Sequence, residues 1–188
     1  MDAIDAMTSR LSASGLTPPE PDAATLGRIL AAASNAPDHG KLKPFRFIVI
    51  RGRARLAFGE VCAEAMKRRE PETDAAGLDR ERQKALRAPM IVVVAAKVVK
   101  HKIPEIEQVL AAGAAAQNIF LAAHAEGFGA MWKTGAPAYD PFVKQALGLS
   151  GDDAIVGFLY LGRPDRPLPP RPLKPAGELV SEWTGPAG

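Results

Sequence analysis

The chain has 188 residues, with 24 basic and 21 acidic side chains, and 47% of its residues are hydrophobic. We expect one compact domain over residues 1–188, because this length and composition suit a soluble globular fold with a full core. A formal charge of +3 is too small an excess to indicate a nucleic-acid partner. Cys62 is the single cysteine, so an internal disulfide is excluded. The first ten residues lack the basic start and apolar run of a secretory signal, and we expect a cytoplasmic protein.

Hydrophobic periodicity and turn residues divide the chain into helices and strands. Asp22 suits the N-cap of a helix. Residues 90–96 are almost wholly apolar and β-branched, as in a strand buried on both faces. A polar stretch at 70–77 separates two charged helices. In chain order we predict helices at 2–10, 23–34, 54–69, a fourth ending near Arg87, 105–126 and 141–147, and strands at 45–50, 90–96, 130–134 and 154–161.

The helix predicted at 105–126 is apolar nearly all round, which is typical of a helix at the centre of a fold. Its apolar run is long enough to raise the question of a membrane span. Gln117, Asn118 and His124 interrupt the run, and alanine, its main component, gains little from entering lipid. We therefore expect a buried helix and no membrane partner. The small residues at 111–116 would let another helix or a partner subunit approach closely.

The end of the chain has a different character. Seven prolines follow Gly162, so the tail from about residue 163 should be extended and lie on a surface, either the chain's own or a partner's. The order of helices and strands before it predicts an α/β or α+β sandwich around one sheet.

The sequence lacks the motifs of several common catalytic sites. It contains no dinucleotide-binding glycine motif after a strand, no P-loop, no nucleophile elbow and no paired His/Cys metal spacing. His39, His101 and His124 are far apart in sequence, and Cys62 has no flanking pattern, so we interpret Cys62 as structural. If the protein is an enzyme, a cofactor is the expected source of its reactivity.

Two segments in the first half of the chain could contact a cofactor. Arg10-Leu-Ser12 ends the first helix, and an arginine fork beside a hydroxyl suits a phosphate group. The loop from Asn35 to His39 carries proline and polar groups between a helix and a strand, where ligands are often held. Each has a plainer interpretation, namely a solvated helix end for the first and a turn with an Asx cap for the second.

Two segments in the second half have the same potential. The glycines of 127–135 permit close backbone approach, Trp132 could cover an aromatic ring, and Thr134 could donate a hydrogen bond. The plainer interpretation is a strand with a packed tryptophan. In the segment 156–164, Arg163 follows a strand, and an arginine in that place has little meaning alone.

In this order and spacing, the four segments resemble the nitroreductase superfamily, and within it the small YdjA-like branch of NAD(P)H nitroreductases. The resemblance covers residues 1–164. It implies an α+β nitroreductase fold with a central mixed or antiparallel β-sheet flanked by helices, and a homodimer with one FMN in each of two interface sites. The most specific pieces are Arg10-x-Ser12, Ala36-Pro-Asp-His39 with Pro44-Phe45, Gly127-Phe-Gly129 through Trp132-x-x-Gly135, and Gly157-Phe-Leu-Tyr-Leu-Gly162.

The resemblance also implies roles for individual residues. The phosphate and ribityl end of FMN would lie at Arg10, Leu11 and Ser12, with Asn35 and His39 reaching the flavin from the other subunit. A later strand would contact FMN through Trp132, Lys133 and Thr134. A stretch that this branch associates with the nicotinamide nucleotide matches Ala122, Ala123, His124, Ala125, Glu126 and Gly127.

The sequence departs from its look-alikes at four of these positions. Leu11 and Asn35 stand where relatives carry arginine, and Phe45 stands where tryptophan is more frequent. Lys133 replaces an arginine and so keeps the charge but loses the bidentate geometry. With Leu11 in place, Arg10 is expected to be the only cation of its segment. We predict that FMN binding survives these changes in weakened form.

The implied activity is a ping-pong cycle in which NAD(P)H delivers a hydride to FMN and an electron-poor acceptor, a nitroaromatic or a quinone, then receives it. The protein's part would be to orient the ring and stabilise the reduced, anionic flavin, so no side chain need act as a dedicated acid or base. Two alternatives stay open. One is an FMN-binding carrier or sensor with little turnover, and the other is a flavin-free dimeric scaffold.

Overall fold

The computed structural model describes residues 1–172 and 176–186. Its helices in chain order are α1 (Ala3–Ser9), α2 (Ala23–Ser34), α3 (Ala54–Arg69), α4 (Ala75–Lys84), α5 (Glu105–Ala125), α6 (Ala136–Tyr139) and α7 (Pro141–Ala146). Its strands are β1 (Leu16–Thr17), β2 (Phe45–Arg51), β3 (Met90–Ala96), β4 (Gly129–Lys133) and β5 (Ala154–Pro164). Short 3₁₀ helices occur at His39–Lys41 and Gly177–Leu179.

The long strand β5 organises the sheet. It pairs antiparallel with β3, with β4 and, at its end, with β1, while β2 pairs antiparallel with β3. The named strands therefore form an antiparallel sheet, and the parallel element is a single bridge between Ser12 and Ala130. That bridge holds the segment after α1 beside β4.

Helices cover both faces of the sheet because the side chains of β3 alternate between two apolar cores. Val92 and Val94 point into the core shared with α2 and α5, whereas Ile91 and Val93 point into the core shared with α3, α6 and α7. All seven residues of β3 are buried. These layers confirm the predicted α+β fold with a sheet flanked by helices.

The predicted central helix is confirmed as α5. Ala112, Ala115, Ala116 and Ile119 are fully buried, and the small side chains let the helix lie close to the sheet and to α2. Asn118 donates a 3.1 Å hydrogen bond to the carbonyl of Ala32 in α2. By length and composition α5 could cross a membrane, but the core helix of a soluble protein passes the same test, and α5 packs inside the fold.

Several predicted boundaries are wrong by a few residues. Helix α1 lies inside the range 2–10, because Asp2 caps it by accepting the amide of Asp5 and Arg10 has extended backbone. The fourth helix ends at Lys84 rather than near Arg87. It begins at Ala75, inside the polar stretch 70–77, because the Asp74 side chain caps it by accepting a hydrogen bond from the amide of Gly77. Strand β4 begins and ends one residue earlier than predicted.

The start of the tail was predicted wrongly, and one short helix was missed. The tail does not begin at 163, because β5 continues to Pro164 and pairs Arg163 and Pro164 with β1. Helix α6 was not predicted, since its four residues are too few to show a period. Residues 167–172 lack regular secondary structure, as predicted for the tail, and its residues 173–175 and 187–188 lie outside the described part of the chain.

Candidate functional site

Arg10 stands where α1 ends, with its guanidinium over the ring of Phe120 in α5. The guanidinium carbon lies 5.0 Å from the ring centroid. The Nε atom is buried and has no hydrogen-bond acceptor among the described residues. Burial lowers the pKa of Arg10, and the nearby charge of Arg171 lowers it further. A buried N–H without an acceptor is costly, and an anion bound to this guanidinium would offset that cost.

Ser12 connects Arg10 to the strand that carries the later predicted contacts. Ser12 forms the parallel bridge to Ala130, and the amide of Ala13 donates a 2.9 Å hydrogen bond to the Ala130 carbonyl. Trp132 follows two residues further along β4. The structure therefore brings the Arg10–Ser12 segment and the Trp132 strand together, as predicted.

Trp132 is held by contacts on two sides. Its ring centroid lies 6.2 Å from that of Phe120 at an interplanar angle of 45°. Its Nε1 donates a 3.2 Å hydrogen bond to the carbonyl of Val156. A Cβ at Gly157 would overlap the indole Nε1, so the glycine makes room for the ring. Arg10, Phe120 and Trp132 thus form one continuous row on the α5 side of the sheet.

Arg10 is the only cation of its own segment, and a second cation, which the sequence did not indicate, approaches it from the tail. Arg171 Nη1 donates a 3.1 Å hydrogen bond to the Arg10 carbonyl. Together with Pro172, these residues line a surface depression of about 440 Å³ that also includes Leu11 and Ser12. Two arginines and a hydroxyl around one depression are a suitable donor set for a phosphate. The sequence predicted only that the tail lies on a surface.

Lys133 and Thr134 face a different space from Trp132. They line a cavity of about 230 Å³ between β4, β5, α3 and α4, whose walls include Phe58, Met66 and Phe158. Burial raises the pKa of Cys62 and of Tyr160, two further lining residues, to about 12 in each case. Both groups stay protonated at neutral pH, so Cys62 is a poor nucleophile, in agreement with a structural role.

His39 lies far from Arg10 within one chain, and Asn35 lies at the end of α2. The Asn35 side chain donates to the Ala31 carbonyl at 2.8 Å, and His39 Nδ1 lies 2.6 Å from Glu107 Oε2 at the start of α5. Thirteen residues separate Glu107 from Phe120, which is roughly 20 Å along a helix. A single subunit therefore does not bring His39 together with Arg10.

The segment predicted to meet the nicotinamide nucleotide is the end of α5 and the turn after it. Ala123 is fully buried, whereas Ala125 and Gly127 are exposed. His124 Nε2 lies 2.9 Å from Ser9 Oγ, and burial together with Arg10 lowers the pKa of His124. The segment thus adjoins the Arg10 depression.

Two arginines hold this turn in place. Arg28 donates to both carboxylate oxygens of Glu126, at 2.7 and 2.8 Å. Arg163 Nη1 donates a 2.5 Å hydrogen bond to the Gly127 carbonyl, and its guanidinium stacks on Phe128 at 4.1 Å from the centroid. Arg163, singled out in the sequence without a role, therefore fixes the turn between α5 and β4.

The fold is that of an α+β protein, and the chain belongs to the Nitroreductase family of oxidoreductases, whose model matches residues 7–163. "Putative NAD(P)H nitroreductase YdjA" of Escherichia coli (strain K12) is 41% identical over 165 residues, covering 87% of this chain and 89% of the relative. "Putative NAD(P)H nitroreductase" of Haemophilus influenzae is 35% identical over 164 residues, covering 86% and 88%. These matches confirm the resemblance found in the sequence.

Solved structures confirm the fold. A nitroreductase-like family protein from Bacillus cereus superposes with a TM-score of 0.85 at 24% identity, covering 98% of this chain and 97% of that one. The FMN and NADPH-dependent nitroreductase NfnB from sphigopyxis sp. strain HMH superposes with a TM-score of 0.76 at 20% identity, covering 98% and 100%. At these identities the likeness concerns the fold.

Proposed function

We propose that this protein is an FMN-dependent NAD(P)H oxidoreductase that reduces electron-poor acceptors such as nitroaromatics or quinones. The observation that carries the proposal is the depression lined by Arg10, Ser12 and Arg171, together with the buried Nε of Arg10, which finds no acceptor in the described part of the chain. These groups fit the phosphate of FMN. When bound, FMN supplies two-electron redox chemistry between a nicotinamide donor and the acceptor.

The residues of the chain bind and orient the cofactor. Arg10 and Arg171 neutralise the phosphate, and Ser12 adds a hydroxyl donor at the bridge to β4. From the Ser12 bridge, β4 leads to Trp132, which covers one side of the flavin, and to Lys133 and Thr134. The family resemblance assigns Lys133 and Thr134 to FMN as well, and these two residues line the cavity on the α3 and α4 side of β4, apart from the Arg10 depression.

The nicotinamide nucleotide is assigned to the exposed part of 122–127. His124 lies beside Arg10, and the exposed Ala125 and Gly127 leave room for a ligand, while the buried Ala123 serves packing. The proposal places the enzyme in the cytoplasm, where NADH and NADPH are available. Either nucleotide suits these contacts.

The proposal includes a homodimer, because Asn35 and His39 reach the flavin only from a second subunit. The separation of His39 and Arg10 along α5 indicates how the two subunits would be arranged. Gly113 and Ala114 lie halfway between Glu107 and Phe120, and both are partly exposed. If two α5 helices pack antiparallel around a two-fold axis at this point, the His39 end of one subunit meets the Trp132 end of its partner. The small side chains there permit the close approach.

The cofactor site is tested with Arg10→Ala. We predict that FMN affinity falls about 10- to 100-fold, because a charge-assisted contact is lost while Arg171 remains. Flavin fluorescence titration measures the dissociation constant. Arg80→Ala, which removes an exposed arginine without a side-chain hydrogen bond among the described residues, controls for net charge. Unchanged FMN affinity in Arg10→Ala would contradict the assignment.

Turnover is tested on the FMN-loaded protein. We expect the visible flavin absorbance to be lost on mixing with NADH or NADPH and to return on addition of a nitroaromatic or a quinone. Stopped-flow reduction distinguishes an enzyme from a carrier, because a carrier would be reduced negligibly slowly. Failure with a broad panel of acceptors, despite rapid reduction, would contradict the proposed acceptor class.

A further inference from the structure

The loop that carries His39 is fixed against the start of α5. Gly40 adopts a φ of 73°, and a Cβ there would overlap the Cδ1 atom of Ile103, just before the helix. The Asp38 carboxylate closes the loop by accepting a 2.6 Å hydrogen bond from the amide of Lys43. The backbone on both sides of His39 is therefore held close to the first turn of α5.

Within this loop, the imidazole of His39 has one engaged nitrogen and one free nitrogen. Nδ1 lies 2.6 Å from Glu107 Oε2. A carboxylate oxygen can only accept, so the hydrogen of this contact belongs to Nδ1. Nε2 has no hydrogen-bond partner among the described residues, and the side chain is 66% exposed. The ring therefore turns Nε2 outwards.

We propose that Glu107 is a positioning residue that holds His39 as the Nδ1–H tautomer and presents Nε2 to the flavin of the partner subunit. The link to the flavin rests on the proposed function, whereas the proton on Nδ1 follows from the contact itself. A neutral ring held in this way offers a lone pair at Nε2. It therefore pairs with a hydrogen-bond donor, and the flavin provides a ring N–H and ribityl hydroxyls of that kind.

The first experiment observes the tautomer directly. Nitrogen-15 NMR of labelled histidine distinguishes a protonated from an unprotonated ring nitrogen, and His39→Ala identifies the signals of His39. We expect the Nδ1–H form in the unaltered protein. In Glu107→Gln the side-chain amide can donate as well as accept, so the ring should return towards the Nε2–H form that free histidine favours.

Glu105→Gln is the matched control. Glu105 also lies in the first turn of α5, is exposed, and makes no side-chain hydrogen bond among the described residues. Both variants remove one acid from the same helix end, so they weaken the helix-dipole interaction equally. The control should keep the Nδ1–H form of His39. An unchanged tautomer in Glu107→Gln, or an equal change in both variants, would overturn the proposal.

The second experiment measures FMN affinity. We expect Glu107→Gln to weaken FMN binding about 3- to 10-fold, the size of one neutral hydrogen bond, and Glu105→Gln to leave it unchanged. The double variant Glu107→Gln/His39→Ala should bind FMN as His39→Ala does, since Glu107 acts through His39. Multiplied single effects would overturn this role. If His39→Ala binds FMN normally while the tautomer responds as predicted, the flavin contact of His39 itself is wrong, and the role of Glu107 fails with it.

Discussion

At the scale of single residues, Gly157 of β5 provides the room in which Trp132 lies. A Cβ at position 157 would overlap the indole, which would then have to leave Phe120 and give up its hydrogen bond to Val156. We predict that Gly157→Ala lowers the free energy of unfolding by about 1–3 kcal/mol, as overpacking of a core does. Urea unfolding followed by circular dichroism measures the change.

Gly151→Ala is a suitable control for that variant. A Cβ at Gly151 meets no atom within 4 Å, so its stability should stay within about 0.5 kcal/mol of the unaltered protein. Equal stability of the two variants would show that Trp132 moves aside at little cost. In that case Gly157 would not be needed to keep the Trp132 ring beside Phe120.

The residues of the anion site differ in how far the sequence could reveal them. Arg10 and Ser12 are two positions apart, so one short motif contains both. Arg171 is 161 residues from Arg10 and reaches it through the path of the tail, which the proline content does not specify. Phe120 was equally hidden, because α5 is apolar nearly all round and no feature of its sequence indicates which side chain lies under a guanidinium.

At the scale of elements, prediction succeeded where burial left a clear pattern of apolar residues. Strand β3 was predicted with its correct ends because all seven of its residues are buried. The end of β5 was missed because Gly162, Arg163 and Pro164 have the composition of a loop. Their place in the sheet depends on β1, which is distant in sequence. Local composition cannot predict such a pairing.

The connection between β3 and α5 depends on one buried amide. Gln108 accepts a 2.9 Å hydrogen bond from the Val99 amide and donates to the carbonyls of Val99 and Ile103 at 2.9 and 3.4 Å. We predict that Gln108→Leu lowers the free energy of unfolding by about 2–4 kcal/mol, because backbone groups around a buried site lose their partners. Chemical denaturation measures this loss.

Hydrogen exchange locates the same effect. In Gln108→Leu the amide of Val99 should exchange faster than in the unaltered protein, since its acceptor is gone. Gln83→Leu, at an exposed position of α4, should change neither the stability nor this exchange rate by much. Slow exchange of Val99 in Gln108→Leu would mean that water or another group replaces the amide.

At the scale of the whole molecule, the candidate site is divided between the two ends of α5. Sequence resemblance grouped Asn35 and His39 with Arg10 and Trp132, but it could not state the distance between them. The structure shows that Glu107, which contacts His39, and Phe120, which lies under Arg10, are thirteen positions apart on α5. At the rise of an α-helix, thirteen positions correspond to roughly 20 Å along its axis. In the proposed homodimer, a second copy of the chain would close that distance.

The exposed side of α5 has the character of a subunit contact. Ile106 and Leu110 are 62% and 63% exposed, and they continue along the same face to the small residues Gly113 and Ala114. We predict that Leu110→Glu disrupts the homodimer, because the two-fold axis would bring this charge into an apolar contact in both subunits. Light scattering after size-exclusion chromatography measures the mass against the 19.9 kDa of one chain.

The same variant tests whether flavin binding depends on assembly of the dimer. Leu110→Glu leaves Arg10, Arg171 and Trp132 untouched. It should nevertheless lose most FMN affinity, because the partner's side of each site is removed with the dimer and because Leu110 lines a depression with His39 and Glu107. Leu56→Glu places the same charge at another exposed leucine, 56% exposed on α3, and should remain dimeric and bind FMN normally. A monomeric Leu110→Glu that binds FMN at full affinity would show that one chain suffices for the site. The roles assigned to Asn35 and His39 across the interface would then be wrong.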